Sequence, residues 1–447
     1  MSKQNPDKLT TPRRTFLKAG TAAVAAAGVG AATPSLSLAR SAWAGGKDSV
    51  KVGLIGCGGR GRQAAIQALN TNSGNVTLTA VADVFEGKLD AVEKAVKIQH
   101  KDKCQIGENK FLGFDAFERL LETDCDLVIL ATPPGFRPLH FEKAVEAGKH
   151  VFMEKPVAVD APGVRRVLKA NESAQQQGLV VQVGLQRRHE RAYMETIQRL
   201  QDGAIGNINL MRCYWNSGGV WDFPREADDT ELKYQMRNWY YFNWLCGDHI
   251  NEQHIHNIDV CNWLMDAYPV KAQGQGGRQV RTGLNFGQIY DHHFVEFTYE
   301  NGAKMFSQCR HTREAWVQVS EFAHGDKGTC NIRAGKIFNN DGDMIWEYGK
   351  GGRGGHQQEH HDLFAELADG RAPNEGDYGA FSTMTAILGR MATYTGKELT
   401  WDQAIDSKLS LCDVDAISSF EDPAPVNPDE EGRYPIPVPG KSWDDVL

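Results

Sequence analysis

The sequence predicts an α/β protein: an N-terminal doubly wound parallel sheet joined to a C-terminal α+β unit with an open, mainly antiparallel sheet. Three observations predict it. Short apolar runs alternate with amphipathic helical segments from residue 50 to residue 183, the pattern of a parallel sheet covered on both faces. A glycine-rich turn joins the first apolar run to the first helical segment. Beyond residue 270 the chain changes to two-residue periodicity punctuated by a tight turn, the signature of antiparallel strands.

In chain order, the predicted buried strands are Val50–Ile55, Val76–Ala82, Asp126–Ala131, His150–Met153 and Val180–Val183, and the helices between them Arg62–Leu69, Lys88–Lys97, Leu139–Ala147 and Pro162–Gln176. Ile208–Trp215 reads as a further strand, followed by an irregular stretch rich in Trp, Tyr and Asp and a helix over Glu252–Met265. Alternating segments follow at Val270–Gln275, His293–Tyr299, Ala303–Arg310 and Trp316–Ala323, with Glu300-Asn301-Gly302 as a hairpin turn. Gly349–Gly355 breaks the sheet pattern. Helices over Glu359–Leu367 and Ala380–Tyr394, and a short one after Thr400, close the chain. The expected division is a segment 1–44, a dinucleotide-binding domain 48–184, a substrate and oligomerisation domain 185–415, and a tail 416–447. A homo-oligomer is expected.

With 447 residues the chain can bury two cores. Residues 1–44 carry six basic side chains and one acidic one, a net +5; removing them takes the net charge from −8 to −13. Such acidity argues against nucleic acid or an anionic membrane as partner. Arg13-Arg14 precedes a weakly hydrophobic Ala/Gly-rich run, Ala19–Ala32, and Ala42-Trp43-Ala44 presents small residues at signal-peptidase spacing. The order resembles a twin-arginine export signal, with Pro12 in place of the usual Ser or Thr; the plain alternative is a basic tail. The run is too poor in Leu and Ile for a stable membrane span. Nine scattered cysteines without a C-x-x-C pair give neither a disulfide framework nor a zinc ribbon.

Gly56-Cys57-Gly58-Gly59-Arg60-Gly61 lies at the first strand–helix junction, and Asp83 ends the second strand. In a Rossmann unit the first glycine permits the turn, the second admits a pyrophosphate, the third packs helix on strand, and the acid receives the ribose hydroxyls. Asp83 repels a 2′-phosphate and Val84 and Phe85 supply no cation, which favours NAD over NADP. Ala131-Thr132-Pro133-Pro134, His140 and the run ending Glu154-Lys155-Pro156 follow further strands, where ligands of parallel sheets gather. Pro156 keeps Lys155 out of helical geometry, so that its ammonium can hold a substrate oxygen. Thr132, Pro133, Glu154 and Lys155 join the glycine loop as cofactor candidates.

Glu252, His256 and Asp259 fall at i, i+4 and i+7 of the predicted helix. A proton-transferring histidine needs one free nitrogen and a partner on the other, and Glu252 has the spacing for that partner. His249, Glu252 and His256 also share a face, with His254 nearby, at metal-ligand spacing. No cysteine or ligand from a third segment accompanies them, and no metal is assigned. Gln186-Arg187-Arg188 follows a strand at the same sheet end, as a pocket loop or a basic surface turn. Trp215, Trp221, Trp239, Tyr240, Tyr241 and Trp244 suit either the faces of a sugar or a second core. Gly354–Asp362 reads equally as a pocket contribution or a capped helix start.

From Lys51 to about Ser407 the sequence resembles the glucose–fructose oxidoreductase / inositol dehydrogenase (Gfo/Idh/MocA) family, on the glycine loop, the His140-to-Glu-Lys-Pro run and the histidine-bearing helix. The resemblance implies an NAD-dependent oxidoreductase acting on a sugar, cyclitol or related polyol. Lys155 then lies beside the nicotinamide and substrate, His256 matches the proton-transferring histidine and Asp259 the final acid of the pattern Asp-x-Gly-x-His-x-x-Asp. Glu252 stands for the usual Asp and His254 for the usual Gly. Gln186, Arg187, Asp259, Trp239 and Tyr240 are the substrate-pocket candidates. An exported protein cannot count on cytoplasmic recycling of NAD, so a tightly held cofactor is expected. The family also contains NAD-dependent glycoside hydrolases that oxidise transiently and eliminate; that redox-neutral route is the alternative.

Overall fold

The computed structural model describes residues 49–349 and 354–440; the export-signal expectation at 1–44 lies outside them. In chain order the first half runs β1 (Ser49–Ile55), α1 (Gly59–Leu69), β2 (Asn75–Asp83), α2 (Glu86–Gln99), β3 (Lys110–Leu112), α3 (Ala116–Leu121), β4 (Leu127–Leu130), α4 (Arg137–Glu146), β5 (His150–Met153), α5 (Ala161–Gln177) and β6 (Val181–Val183). The six strands lie parallel in the order β3-β2-β1-β4-β5-β6. This is the doubly wound order, with its switch point between β1 and β4. The five predicted strands and four helices are all present. The three-residue edge strand β3 and helix α3 were not anticipated, being too short for a periodicity.

The second half holds α6 (Arg191–Gln201), β7 (Ile208–Ser217), α7 (Glu231–Arg237), α8 (Asn243–Cys246), α9 (His249–Glu252), α10 (Ile255–Met265), β8 (Lys271–Gly277), β9 (His292–Thr298), β10 (Lys304–His311), β11 (Gln318–Gly325), β12 (Gly328–Asn331), β13 (Lys336–Asn339) and β14 (Met344–Glu347). It ends in α11 (Gly355–Ala368), α12 (Gly376–Thr395), β15 (Leu399–Thr400) and α13 (Trp401–Ile405). Nine strands form one sheet in the order β14-β13-β12-β11-β7-β10-β9-β8-β15. All pairs are antiparallel except β7 with β10. Side chains of β10 alternate between buried and half-buried, so one face packs and the other stays open. The turn at Gly302 (φ +86) joins β9 to β10 as predicted.

Two departures matter for the site. The predicted helix Glu252–Met265 is two helices, α9 and α10, broken at Gln253 and His254. Helix α11, far along the chain, returns to the parallel sheet: Leu363, Phe364 and Leu367 share a core with Val50, Val52 and Leu54. Each such buried side chain contributes about 1.5–3 kcal/mol, enough to hold the first turn of α11 over the glycine loop. Among the described residues no helix is long and apolar enough to cross a membrane.

Candidate active site

The glycine loop divides into positions that the protein fills and positions that it leaves open. Gly56 has φ +96, and a Cβ there would stand 2.5 Å from the backbone of Ala131 and Thr132. A Cβ on Gly61 would stand 1.9 Å from the Gly56 carbonyl oxygen. These two are required by the turn and by close helix–strand packing. At Gly58 and Gly59 a Cβ would meet nothing within 4 Å, and no side chain caps or acidifies the start of α1. Free N–H groups, a helix N-terminus and open space above two glycines fit a pyrophosphate. Asp83 accepts hydrogen bonds from the N–H of Cys57 (2.7 Å) and of Phe85 (2.9 Å), which fixes it at the end of β2. Burial raises its pKa, partly offset by those N–H bonds.

Arg60 is differently placed from the cofactor contact expected. Its guanidinium donates to Glu154 (2.5 Å), Gln67 (2.7 Å) and Glu359 (3.1 Å). It therefore clasps α1 to the end of β5 and the start of α11, with Glu154 as its partner. Glu359 is fully buried, and burial pushes its carboxyl up to about 7. Thr132 Oγ1 lies 3.1 Å from His140 Nδ1, and Pro133 precedes a single helical turn.

Buried Arg137, which sequence reasoning missed, donates to the carbonyls of Thr132, Glu154 and Pro156. It ties the β4 and β5 loops together and shapes the Glu154-Lys155-Pro156 segment, whose Lys155–Pro156 peptide is cis. Burial lowers its pKa to about 10. An Arg-Pro at a helix start carries no spacing rule that would have revealed it.

Lys155 and Glu252, 97 residues apart, meet at the centre of the site. The Lys155 ammonium lies 2.9 Å from Glu252 Oε1 and also donates to the Glu252 backbone carbonyl. This corrects the expectation that Glu252 orients His256: the helix break at 253–254 separates them, and Glu252 faces Lys155. Tyr240 is buried, its hydroxyl has no hydrogen-bond partner, and burial together with the Glu252 charge pushes its pKa well up. His256 is buried, stacks on Trp215 (centroids 5.9 Å apart, 26° between planes), and leaves Nδ1 unpartnered. Burial, then the charges of Lys155 and Arg187, pull its pKa well below the ordinary value. It is thus a neutral imidazole within the field of the Lys155 ammonium, able to accept a proton.

Two substrate-pocket candidates are taken up by internal ion pairs. Arg187 bonds buried Glu321, which also accepts from Asn257 (2.5 Å) and Tyr193 (3.1 Å). Asp259 is held by Arg188 (2.8 and 2.9 Å) and Ser382 (2.8 Å). Gln186 has a buried, unpartnered Oε1. His254, where the resembled pattern has glycine, is fully buried and bonds Ser307 of β10 at 2.8 Å, so its bulk is directed into the sheet. Trp239 is half-buried against Trp221 and Tyr240. Tyr241, Phe242 and Trp244 form a separate aromatic core with Phe136 and Tyr434. The ligand set His249/Glu252/His256 does not assemble, because Glu252 is turned to Lys155.

Residues 50–185 match a family model described as an oxidoreductase family with an NAD-binding Rossmann fold, and residues 193–331 match the GFO/IDH/MocA C-terminal domain. Among curated relatives, an inositol 2-dehydrogenase of Rhizobium meliloti is 25% identical over 281 residues, covering 63% of this chain and 74% of that protein. Inositol 2-dehydrogenase 3 of Saccharopolyspora erythraea is 27% identical over 291 residues, covering 64% and 73%. Similar solved structures include scyllo-inositol dehydrogenase from Lactobacillus casei with NAD(H) and scyllo-inositol (TM-score 0.60, 20% identity, 79% of this chain and 99% of that one). Aldose-aldose oxidoreductase from Caulobacter crescentus has a TM-score of 0.62 at 17% identity, covering 79% and 99%. At these identities the solved structures show a shared fold.

Proposed function

The chain belongs to the GFO/IDH/MocA oxidoreductase family, and on that premise we propose that it is an exported NAD-dependent oxidoreductase of a cyclitol, sugar or related polyol that keeps its cofactor bound. The observation that carries the reading is the contact of Lys155 with Glu252 beyond the ends of the parallel strands, with a buried, neutral His256 within the electrostatic reach of that ammonium. The inositol 2-dehydrogenases among the relatives support a polyol substrate.

NAD, when bound, supplies the hydride acceptor. Gly58, Gly59 and the N–H groups at the start of α1 would receive its pyrophosphate, and Asp83 would accept from its adenosine ribose. Lys155 holds the substrate oxygen and stabilises negative charge developing there. Glu252 orients the ammonium. His256 accepts the hydroxyl proton, which its lowered pKa permits at neutral pH. Tyr240 and Gln186 each offer a buried polar atom without a protein partner, suited to further substrate hydroxyls. Export rests on the arginine pair and apolar run of residues 1–44, and the open face of the nine-stranded sheet is where copies of the chain pair. Nothing in the site favours glycoside cleavage.

The test is denaturation of the purified protein followed by mass spectrometry of what it releases, with a polyol panel run on the native sample. About one equivalent of NAD(H), reduced on adding a cyclitol or sugar, is expected. A nucleotide-free protein that gains no NADH signal with any polyol and added NAD would overturn the reading. Steady phenol release from nitrophenyl glycosides without added cofactor would establish the eliminating route instead.

A further inference from the structure

Behind the Lys155–Glu252 pair, at the other end of α9, three buried ligand-type side chains converge: Asp248 (0% exposed), His249 (1%) and His293 of β9 (2%). Their ligand atoms all lie within 4.8 Å of one another. Asp248 Oδ1 is 3.2 Å from His293 Nε2 and 3.8 Å from His249 Nε2. A tetrahedral ion bound at about 2.1 Å separates its ligand atoms by about 3.4 Å, between those two distances.

The hydrogen bonds around the group leave both Nε2 atoms without a partner and Asp248 Oδ1 with one acceptor position to spare. Asp248 Oδ2 accepts from the Tyr290 N–H (2.9 Å) and the Tyr394 hydroxyl (2.5 Å); Oδ1 accepts the backbone N–H of His249 and also faces the two imidazoles. His293 Nδ1 lies 2.9 Å from Thr393 Oγ1, whose own proton goes to the Arg390 carbonyl (2.9 Å). Nδ1 must therefore donate, the outer-shell arrangement that leaves the other ring nitrogen free to bind a metal. Both His249 Nε2 and His293 Nε2 are buried without a hydrogen-bond partner. An imidazolium–carboxylate pair of His293 with Asp248 satisfies one of them. His249 Nε2, at 3.8 Å, stays beyond hydrogen-bond reach of that carboxylate. A cation between the three satisfies all. Asp248 is held at φ +70, ψ 162, a backbone region that side-chain-bearing residues rarely adopt.

We propose that Asp248, His249 and His293 bind one divalent transition-metal ion of the zinc type. Two imidazoles and a carboxylate suit zinc, cobalt(II) or iron(II) better than calcium or magnesium. The ligands are sealed from solvent, so the ion is structural: it anchors the start of α9, whose last residue holds Lys155. Spacing could not reveal the set, because its third member comes from a strand 44 residues after His249.

The test is elemental analysis of the full chain purified without chelator, with cobalt(II) titration of the chelator-stripped protein and thermal melts of each form. The expected result is about one equivalent of a zinc-type metal, visible cobalt(II) bands, and a melting temperature that falls on stripping and returns with zinc. His293→Gln, which keeps a hydrogen-bonding group near Thr393, abolishes all three effects. If His293→Gln does not fold, the cobalt spectrum of the wild-type protein decides. Less than a tenth of an equivalent as isolated, with no cobalt bands and no melting shift on adding metal, overturns the proposal. Equal metal binding by folded His293→Gln also overturns it. Neither result bears on the dehydrogenase reading, which the nucleotide assay tests separately.

Discussion

The glycine loop allows a prediction in which stability and cofactor affinity move independently. At Gly58 the backbone has φ −65, and a Cβ meets nothing within 4 Å. Gly58→Ala is therefore strain-free in the folded chain and restricts the unfolded one, a stabilisation of about 0.4–1 kcal/mol. The same methyl occupies the space assigned to the pyrophosphate, so NAD affinity falls by about tenfold or more, about 1.4 kcal/mol. Gly61→Ala puts a Cβ 1.9 Å from the Gly56 carbonyl, and overpacking of this kind costs about 1–3 kcal/mol. An unfolding entropy of about 2.1 cal/mol/K per residue over roughly 400 residues gives about 1 °C per kcal/mol. Gly61→Ala is expected to melt about 1–3 °C lower, and Gly58→Ala at or slightly above the wild-type temperature. Calorimetry on nucleotide-stripped protein reads the first quantity and titration with NAD the second. Wild-type NAD affinity in Gly58→Ala would refute the placement of the pyrophosphate over this loop.

Further expectations concern the catalytic pair, cofactor choice and pH. Lys155→Met should lower kcat/KM for the active polyol by about 10²–10⁴ while NAD binding stays within a few-fold; an unchanged rate would remove Lys155 from the chemistry. Glu252→Gln, which keeps the shape and loses the charge facing Lys155, should lower kcat more than it raises KM. Asp83→Ser should narrow the NAD-to-NADP preference by about tenfold or more by removing the charge that repels a 2′-phosphate, read as the ratio of the two dissociation constants. Acid should destabilise the fold. Burial holds His140 and His311 down to about 3 and His249, His256 and His360 well below their ordinary value. Below about pH 6.5 the unfolded chain binds protons that these side chains refuse. Each costs about 1.4 kcal/mol per pH unit, so His140 and His311 together cost about 2.7. Glu359 acts oppositely between its ordinary 4.5 and about 7, as one group against five. Urea unfolding that shows no loss of stability between pH 6.5 and 4.5 would contradict these burials.

Much of the parallel sheet was legible because its strands are continuous apolar runs whose local pattern and tertiary role coincide. The steric tasks of Gly56 and Gly61 were legible for the same reason: the motif is local, and each follows from its place in one turn. What the sequence concealed was non-local or too short to carry a period. The polar spacing at 252, 256 and 259 continues unbroken through a helix break, so periodicity placed Glu252 and His256 on one face, while the structure sends Glu252 to Lys155. The parallel pairing of β7 with β10 depends on a register between segments almost a hundred residues apart. The return of α11 to the first core left no local trace, and with it went the role of Arg60, whose basic side chain in a glycine loop suggests phosphate until Glu154 and Glu359 are seen on either side. Arg187 and Asp259 are similar: a loop after a strand and the resembled helix pattern suggested a pocket, and buried partners take both side chains up.

The central claim is that a dinucleotide lies across the glycine loop with its nicotinamide between Lys155 and His256. A crystal structure of the protein with NADH and a cyclitol tests it most directly. The account predicts a substrate oxygen within hydrogen-bond reach of both the Lys155 ammonium and the His256 ring, and its carbon about 3–3.5 Å from the nicotinamide C4. A nicotinamide ring seated away from these two side chains, or a Lys155 ammonium that stays wholly engaged by Glu252 with substrate bound, would contradict it.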